Sequence, residues 1–188
     1  MTEKEKGRQG LLYNPNHDQE LTWQRIACKD LCLEYNQTKH SDLDKRDALI
    51  KQIVGKVRDN FVIESSFWCD YGYNIVLGEN FYANHNLVIL DCAMVTFGDN
   101  VFIGPNCSFY TAGHPVGVKE RNEGLEYARP ITVGNNVWFG GNVVVLPGVS
   151  IGDNSIIGAG SVVTKDIPDN VIAVGNPCKV IRKIEENN

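Results

Sequence analysis

At 188 residues, 43% apolar and 22% charged, the chain has the size and balance of one globular domain with room for a small appendage, not of a disordered protein. No apolar run approaches the roughly 20 residues that a membrane span needs, and a formal net charge of −5 disfavours the broad basic footprint of a nucleic-acid binder. The start, Met1-Thr2-Glu3-Lys4-Glu5-Lys6, is charged and leads into no apolar signal core, so a cytoplasmic location is expected.

Helical patterns come first along the chain. Glu20 to Tyr35 sets Leu21, Ile26, Leu31 and Tyr35 at helix-like intervals, with Cys28 and Cys32 on one face. After the polar stretch Asn36 to His40, Ser41 is expected to begin a second helix, with Asp44 as a partial capping box. Its apolar stripe would be Leu49, Ile50, Ile53, Val54 and Val57. Residues 1–59 hold too little core to stand alone and are expected to pack on residues 60–188. The six cysteines (28, 32, 69, 92, 107 and 178) contain no CxxC pair and read as small buried hydrophobes rather than disulfides or metal ligands.

From residue 75 a different rule takes over. Counting in sixes gives Leu77, Ala83 and Ile89, then Phe97, Ile103 and Phe109, then Val133, Phe139, Val145, Ile151, Ile157 and Val163, all apolar. Seven of these twelve are followed by glycine (78, 98, 104, 134, 140, 152 and 158), which the unusual backbone angles of a tight corner would explain. Two positions earlier stand Val95, Val101, Cys107, Val137, Val143 and Val149. A period of six is neither helical nor simply alternating. It fits a chain of short strands and turns with one large residue per side pointing inward, three sides closing an 18-residue coil: the hexapeptide parallel β-helix.

The count breaks twice. Two extra residues intrude between Ile89 and Phe97, and Phe109 to Val133 spans 24 positions. Residues 114–130 are charged and would place Pro115, Arg121 and Tyr127 inward, so they must form a loop extruded from the helix. Long loops in compact domains are usually functional. Of the four histidines, His114 alone sits where the β-helix gives way to this loop.

Tyr71-Gly72-Tyr73-Asn74-Ile75, Phe81-Tyr82-Ala83-Asn84, Thr111-Ala112-Gly113-His114-Pro115 and the run from Pro130 to Trp138 stand out, with the run from Ile157 to Pro168 and that from Gly175 to Arg182. Together these stretches resemble the maltose and galactoside O-acetyltransferases. The N-terminal segment is similar to that of the maltose branch. The resemblance implies a left-handed β-helix, a homotrimer with active sites between subunits, and direct acetyl transfer from acetyl-CoA to a sugar hydroxyl.

Within that frame the residues take roles. A sugar hydroxyl is a poor nucleophile, so an imidazole base is apt, and His114 matches the family's histidine. Glu126, near the return of the loop, is a candidate to orient its ring. Asn84 stands after an inward residue, where its amide would face a developing oxyanion; the competing role is a corner asparagine in the left-handed region. Asp70, Asp91 and Tyr82 are implied acceptor contacts, and Tyr13 to Asp18 is a candidate to reach the same pocket. Galactoside enzymes carry serine at the Asp70 position and aspartate at the Cys92 position, which tilts the assignment to the maltose branch. Lys165, Lys179 and Arg182 supply local cations for CoA phosphates. Gly141 and Ala159 allow backbone approach to the pantetheine arm, Thr164 accompanies Lys165, and Trp138 should face outward against CoA or a subunit. No acyl-cysteine is expected, since Cys107 is inward and Cys92 lacks a base. The three-histidine zinc set of gamma carbonic anhydrases is absent, and no metal is expected. A serine or xenobiotic acceptor is the alternative that keeps fold and donor.

Overall fold

The computed structural model describes residues 1–185. Its body is a parallel β-helix. Short strands of two to four residues alternate among three faces, and each pairs with the strand one coil away. The first face stacks Lys56–Val57, Ile75–Leu77, Val95–Phe97, Ile131–Val133 and Ser150–Ile151. The second stacks Phe61–Ile63, Phe81–Ala83, Phe102–Ile103, Trp138–Phe139, Ile156–Ile157 and Val171–Val174, closed by an antiparallel strand, Lys179–Lys183. The third stacks Phe67–Cys69, Leu87–Leu90, Ser108–Tyr110, Val144–Val145 and Val162–Val163.

All twelve residues of the six-residue count are buried, as are the six residues two positions before them. The interior is filled by rings stacked edge-on, with centroids 5.1 Å apart for Phe81–Phe97, 5.0 Å for Phe97–Phe109 and 5.3 Å for Phe109–Phe139. The count also begins a coil earlier than its sequence pattern suggests. Val57, Ile63 and Cys69 pair with Leu77, Ala83 and Ile89, so Val57 belongs to a strand and not to a helical stripe.

The corner glycines have a different cause from the one expected. None of the seven has a positive φ. Each lies where the next coil comes too close for a side chain: a Cβ on Gly78 would stand 2.2 Å from the Gly98 carbonyl oxygen, and one on Gly140 would stand 2.6 Å from the Ala159 nitrogen. The left-handed residue falls two places later in each corner and is usually asparagine, at 80, 86, 100, 106, 136, 142, 154 and 170, with φ between 55° and 65°. Asparagine tolerates this region because its short amide bonds locally. On one edge these amides form a ladder, Asn80 to Asn100 to Asn136 to Asn154 to Asn170, each Nδ2 donating to the next Oδ1 at 2.8–3.1 Å.

Helix α1 (Glu3–Arg8) is closed by a Thr2–Glu5 capping box. Helix α2 (Gln19–Gln37) is capped by the Asp18 carboxylate, which accepts from the Leu21 N–H. Its buried face is Leu21, Cys28, Cys32 and Tyr35; Ile26 is exposed and Leu31 half-buried, so the cysteines carry the stripe where Ile26 was expected. Helix α3 (Leu43–Ile53) begins two residues after Ser41. Asp42 takes the cap position without a side-chain bond, so the box with Asp44 does not form. Leu49, Ile50, Ile53 and Val54 join the β-helix core, and α2 packs on the strand Phe67–Cys69.

The extruded loop leaves through Ala112–Gly113, which pairs antiparallel with Tyr127–Ala128, and carries a short helix α4 (Val118–Asn122). Its return strand is also held from the N-terminus: Tyr13 and Glu126 exchange backbone hydrogen bonds of 3.0 and 2.9 Å, and Asn14 Nδ2 donates to the Glu123 carbonyl at 2.7 Å.

Candidate active site

His114 is exposed at the mouth of the loop, one residue beyond the two-strand stem. Its Nδ1 lies 2.8 Å from the Leu125 carbonyl oxygen. A carbonyl only accepts, so in the neutral ring Nδ1 carries the proton and Nε2 keeps its lone pair. That is the tautomer a general base requires. The Glu126 carboxylate does not orient this ring, contrary to expectation. It is buried and accepts from the Tyr13 hydroxyl, while the neighbouring Leu125 backbone positions the imidazole.

Asp70 and Cys92 gather on the same side. The Cys92 thiol reaches Asp70 Oδ2 at 3.7 Å, and Lys29 Nζ lies 3.6 Å from Asp70 Oδ1. Burial, then the Glu126, Asp70 and Asp91 carboxylates, push the Cys92 thiol far above its ordinary range, which removes it as a nucleophile. Asp91 departs from its expected place in the acceptor pocket. It is fully buried, and its oxygens accept the backbone N–H groups of Asp70 at 3.0 Å, Tyr71 at 2.8 Å and Asn74 at 3.4 Å. Its carboxyl holds the turn that presents Asp70 instead of meeting a ligand. Burial raises its pKa to about 7, against those backbone donors. A cavity of about 710 Å³ opens behind this cluster, sharing Tyr13 and Cys92 with it and lined also by Lys4, Arg8, Tyr71 and Arg129.

Asn84 lies at another corner, between the second and third faces. Its Oδ1 accepts the His85 N–H at 2.7 Å, and among the described residues its Nδ2 donates to no partner. Its φ is not positive; that role falls to Asn86. Asn84 lines a groove of about 390 Å³ with Tyr82, Phe102, Gly104 and Trp138. Gly104, Gly140, Gly141 and Ala159 continue the same corner in successive coils. Trp138 is 53% exposed, pairs in register with Phe102 and Ile156, and faces outward as expected. Arg182 and Lys179 sit on the last strand of this second face, paired with Ile172 and Val174.

Thr164 and Lys165 are exposed directly after the strand Val162–Val163, at the corner between the third and first faces from which the His114 loop also springs. The candidate residues therefore divide between two corners of one chain. His114, Asp70, Thr164 and Lys165 belong to one; Asn84, Tyr82, Trp138, Gly141 and Ala159 belong to the other. Sequence reasoning did not find Lys29 or the Leu125 carbonyl. A backbone acceptor leaves no mark on residue type, and Lys29 becomes visible only once α2 is docked beside Asp70.

Residues 6–58 match the maltose acetyltransferase hexapeptide capping motif, and residues 130–165 match the bacterial transferase hexapeptide of six repeats. The galactoside O-acetyltransferase of Escherichia coli is 52% identical over 86% of this chain and 80% of its own. A galactoside acetyltransferase solved in complex with coenzyme A superposes with a TM-score of 0.96 at 48% identity, covering 99% of this chain and 92% of that one. A maltose O-acetyltransferase from Clostridium difficile does so with a TM-score of 0.95 at 49% identity, covering 99% of both chains. With a shared capping segment, shared repeats and near-complete structural overlap, the chain belongs to the hexapeptide-repeat acetyltransferases of the maltose and galactoside O-acetyltransferase family.

Proposed function

We propose that this protein transfers acetyl from acetyl-CoA directly to a hydroxyl of a sugar, of the maltose, glucose or galactoside type, in the cytoplasm and as a homotrimer. The N-terminal helical segment acts as the cap and the β-helix as the catalytic body, which begins at the strand Lys56–Val57 and not at residue 60; residues 186–188 lie outside the described residues. The observation that carries the reading is the contact of His114 Nδ1 with the Leu125 carbonyl, which leaves Nε2 without a partner among the described residues at the loop mouth.

In the reaction, His114 Nε2 takes the proton of the sugar hydroxyl as its oxygen bonds to the thioester carbonyl carbon. The amide of Asn84 donates to the oxyanion so formed. Breaking the carbon–sulfur bond returns the carbonyl, and the CoA thiolate recovers the proton from His114. Because His114 and Asn84 occupy different corners of one chain, the set closes when the His114 corner of one copy meets the Asn84 corner of the next. Asp70 and Tyr82 would bind acceptor hydroxyls, with Glu126 and Tyr13 bounding the pocket. Trp138, Gly141, Ala159 and Thr164 would line the CoA path, and Lys165, Lys179 and Arg182 would meet its phosphates.

His114→Ala should lower kcat by about 10²–10⁴-fold while the trimer persists in size-exclusion chromatography. Near-normal turnover would remove His114 as the base. An acceptor panel of glucose, maltose, galactosides, serine and chloramphenicol tests the substrate. Turnover of only serine or chloramphenicol would overturn the sugar assignment.

A further inference from the structure

Cys28, Cys32 and Cys69 converge beneath the Asp70 turn. Cys28 and Cys32 lie one turn apart on the buried face of α2, and Cys69 ends the strand Phe67–Cys69 immediately before Asp70. Cys69 occupies an inward position at which later coils carry Ile89 and Phe109. Its sulfur stands 3.5 Å from that of Cys28 and 3.8 Å from that of Cys32, and all three lie within 4.8 Å of one another. The exposures are 5%, 0% and 2%. Sulfurs so spaced leave room for one cation at about 2.3 Å from each, the length of a zinc–thiolate bond.

We propose that Cys28, Cys32 and Cys69 form a three-thiolate site for a thiophilic divalent cation of the zinc and cadmium class, separate from the acetyl-transfer chemistry. An all-sulfur set with no imidazole or carboxylate selects soft metals over magnesium or calcium. Binding is a proton exchange without redox change: the cation forms three metal–sulfur bonds, three thiols release three protons, and the complex carries one net negative charge. Lys29, the residue after Cys28 on α2, supplies a nearby positive charge against the net negative complex. Since Lys29 also faces Asp70 at 3.6 Å, an ion here pins α2 to the turn that presents Asp70.

The test is a cadmium titration of the reduced, full-length Cys92→Ser protein, in which the partly buried thiol beside Asp70 is removed. The expected result is a thiolate-to-cadmium charge-transfer band in the ultraviolet that saturates at one equivalent per chain. It should strengthen as pH rises, because protons compete for the ligands, and it should be lost in Cys28→Ser and in Cys69→Ser. Cadmium NMR of the unsubstituted chain, reading three sulfur ligands, keeps the test decisive if a variant does not fold. Absence of the band in folded Cys92→Ser protein, or its survival in both further substitutions, would show that the three thiols only pack. Neither readout depends on acetyl transfer, so failure here is distinct from failure of the proposed function.

Discussion

Glycine and a left-handed residue, usually asparagine, recur two places apart in the corners of this β-helix, for opposite reasons. Gly140 has ordinary backbone angles but no space, since a Cβ would meet Ala159 at 2.6 Å; Gly160 has φ +73° and open space around it. Gly140→Ala should therefore cost about 1–3 kcal/mol or more from forced backbone shifts, whereas Gly160→Asn, which copies the other corners, should change stability by less than about 0.5 kcal/mol. Paired denaturant titrations check both. Asp91 offers a second test at this scale. Burial raises its pKa to about 7, above the ordinary value of 3.8, so the native state holds the proton more tightly than the unfolded chain. Its contribution to stability is then fullest below the ordinary carboxylate range, declines as pH rises from about 4 to about 7, and is level above that. The Asp70 charge adds to the upward shift. Carboxyl NMR should place the Asp91 midpoint near 7, and Asp70→Asn should lower it.

Among the elements, the phenylalanine column joins the coils. Phe109 touches Phe97 at 5.0 Å and Phe139 at 5.3 Å, and it is fully buried. Phe109→Ala should cost about 3–5 kcal/mol, read as a drop in the urea midpoint, because coils on both sides lose their packed ring. The cap is bound differently. Arg46 of α3 is buried and donates to the Tyr35 hydroxyl at 2.6 Å and to the Ile63 carbonyl at 2.9 Å, tying α2, α3 and the first coil together. The extruded loop is tied at its return to Tyr13, so the N-terminal segment and the loop form one supported unit.

For the molecule as a whole, the second face leaves an outward apolar row unburied within one chain: Val62 49% exposed, Phe102 50% and Trp138 53%. Their in-register pairing through Tyr82 makes the row continuous along the β-helix axis. Such a patch is covered in an assembly or by a ligand. Under the proposed trimer, Phe102→Asp should shift the protein toward monomers in analytical ultracentrifugation and remove transferase activity with it. A stable trimer from that variant would place the subunit contact elsewhere.

The six-residue recurrence determined the β-helix from sequence alone, because an inward position in a stacked coil accepts only apolar residues. The interruption of that count also located the loop and His114. What the sequence could not determine depends on contacts between residues far apart in the chain. Residue type alone did not show that corner glycines answer to the next coil's backbone, that Asp91 turns inward, or that a carbonyl rather than Glu126 orients His114. The first coil escaped notice for a related reason. Cys69 is small at its inward position because α2, distant in sequence, packs against it. Only the docked helix brings Cys28 and Cys32 to that thiol, and only the folded prism separates His114 and Asn84 onto different corners.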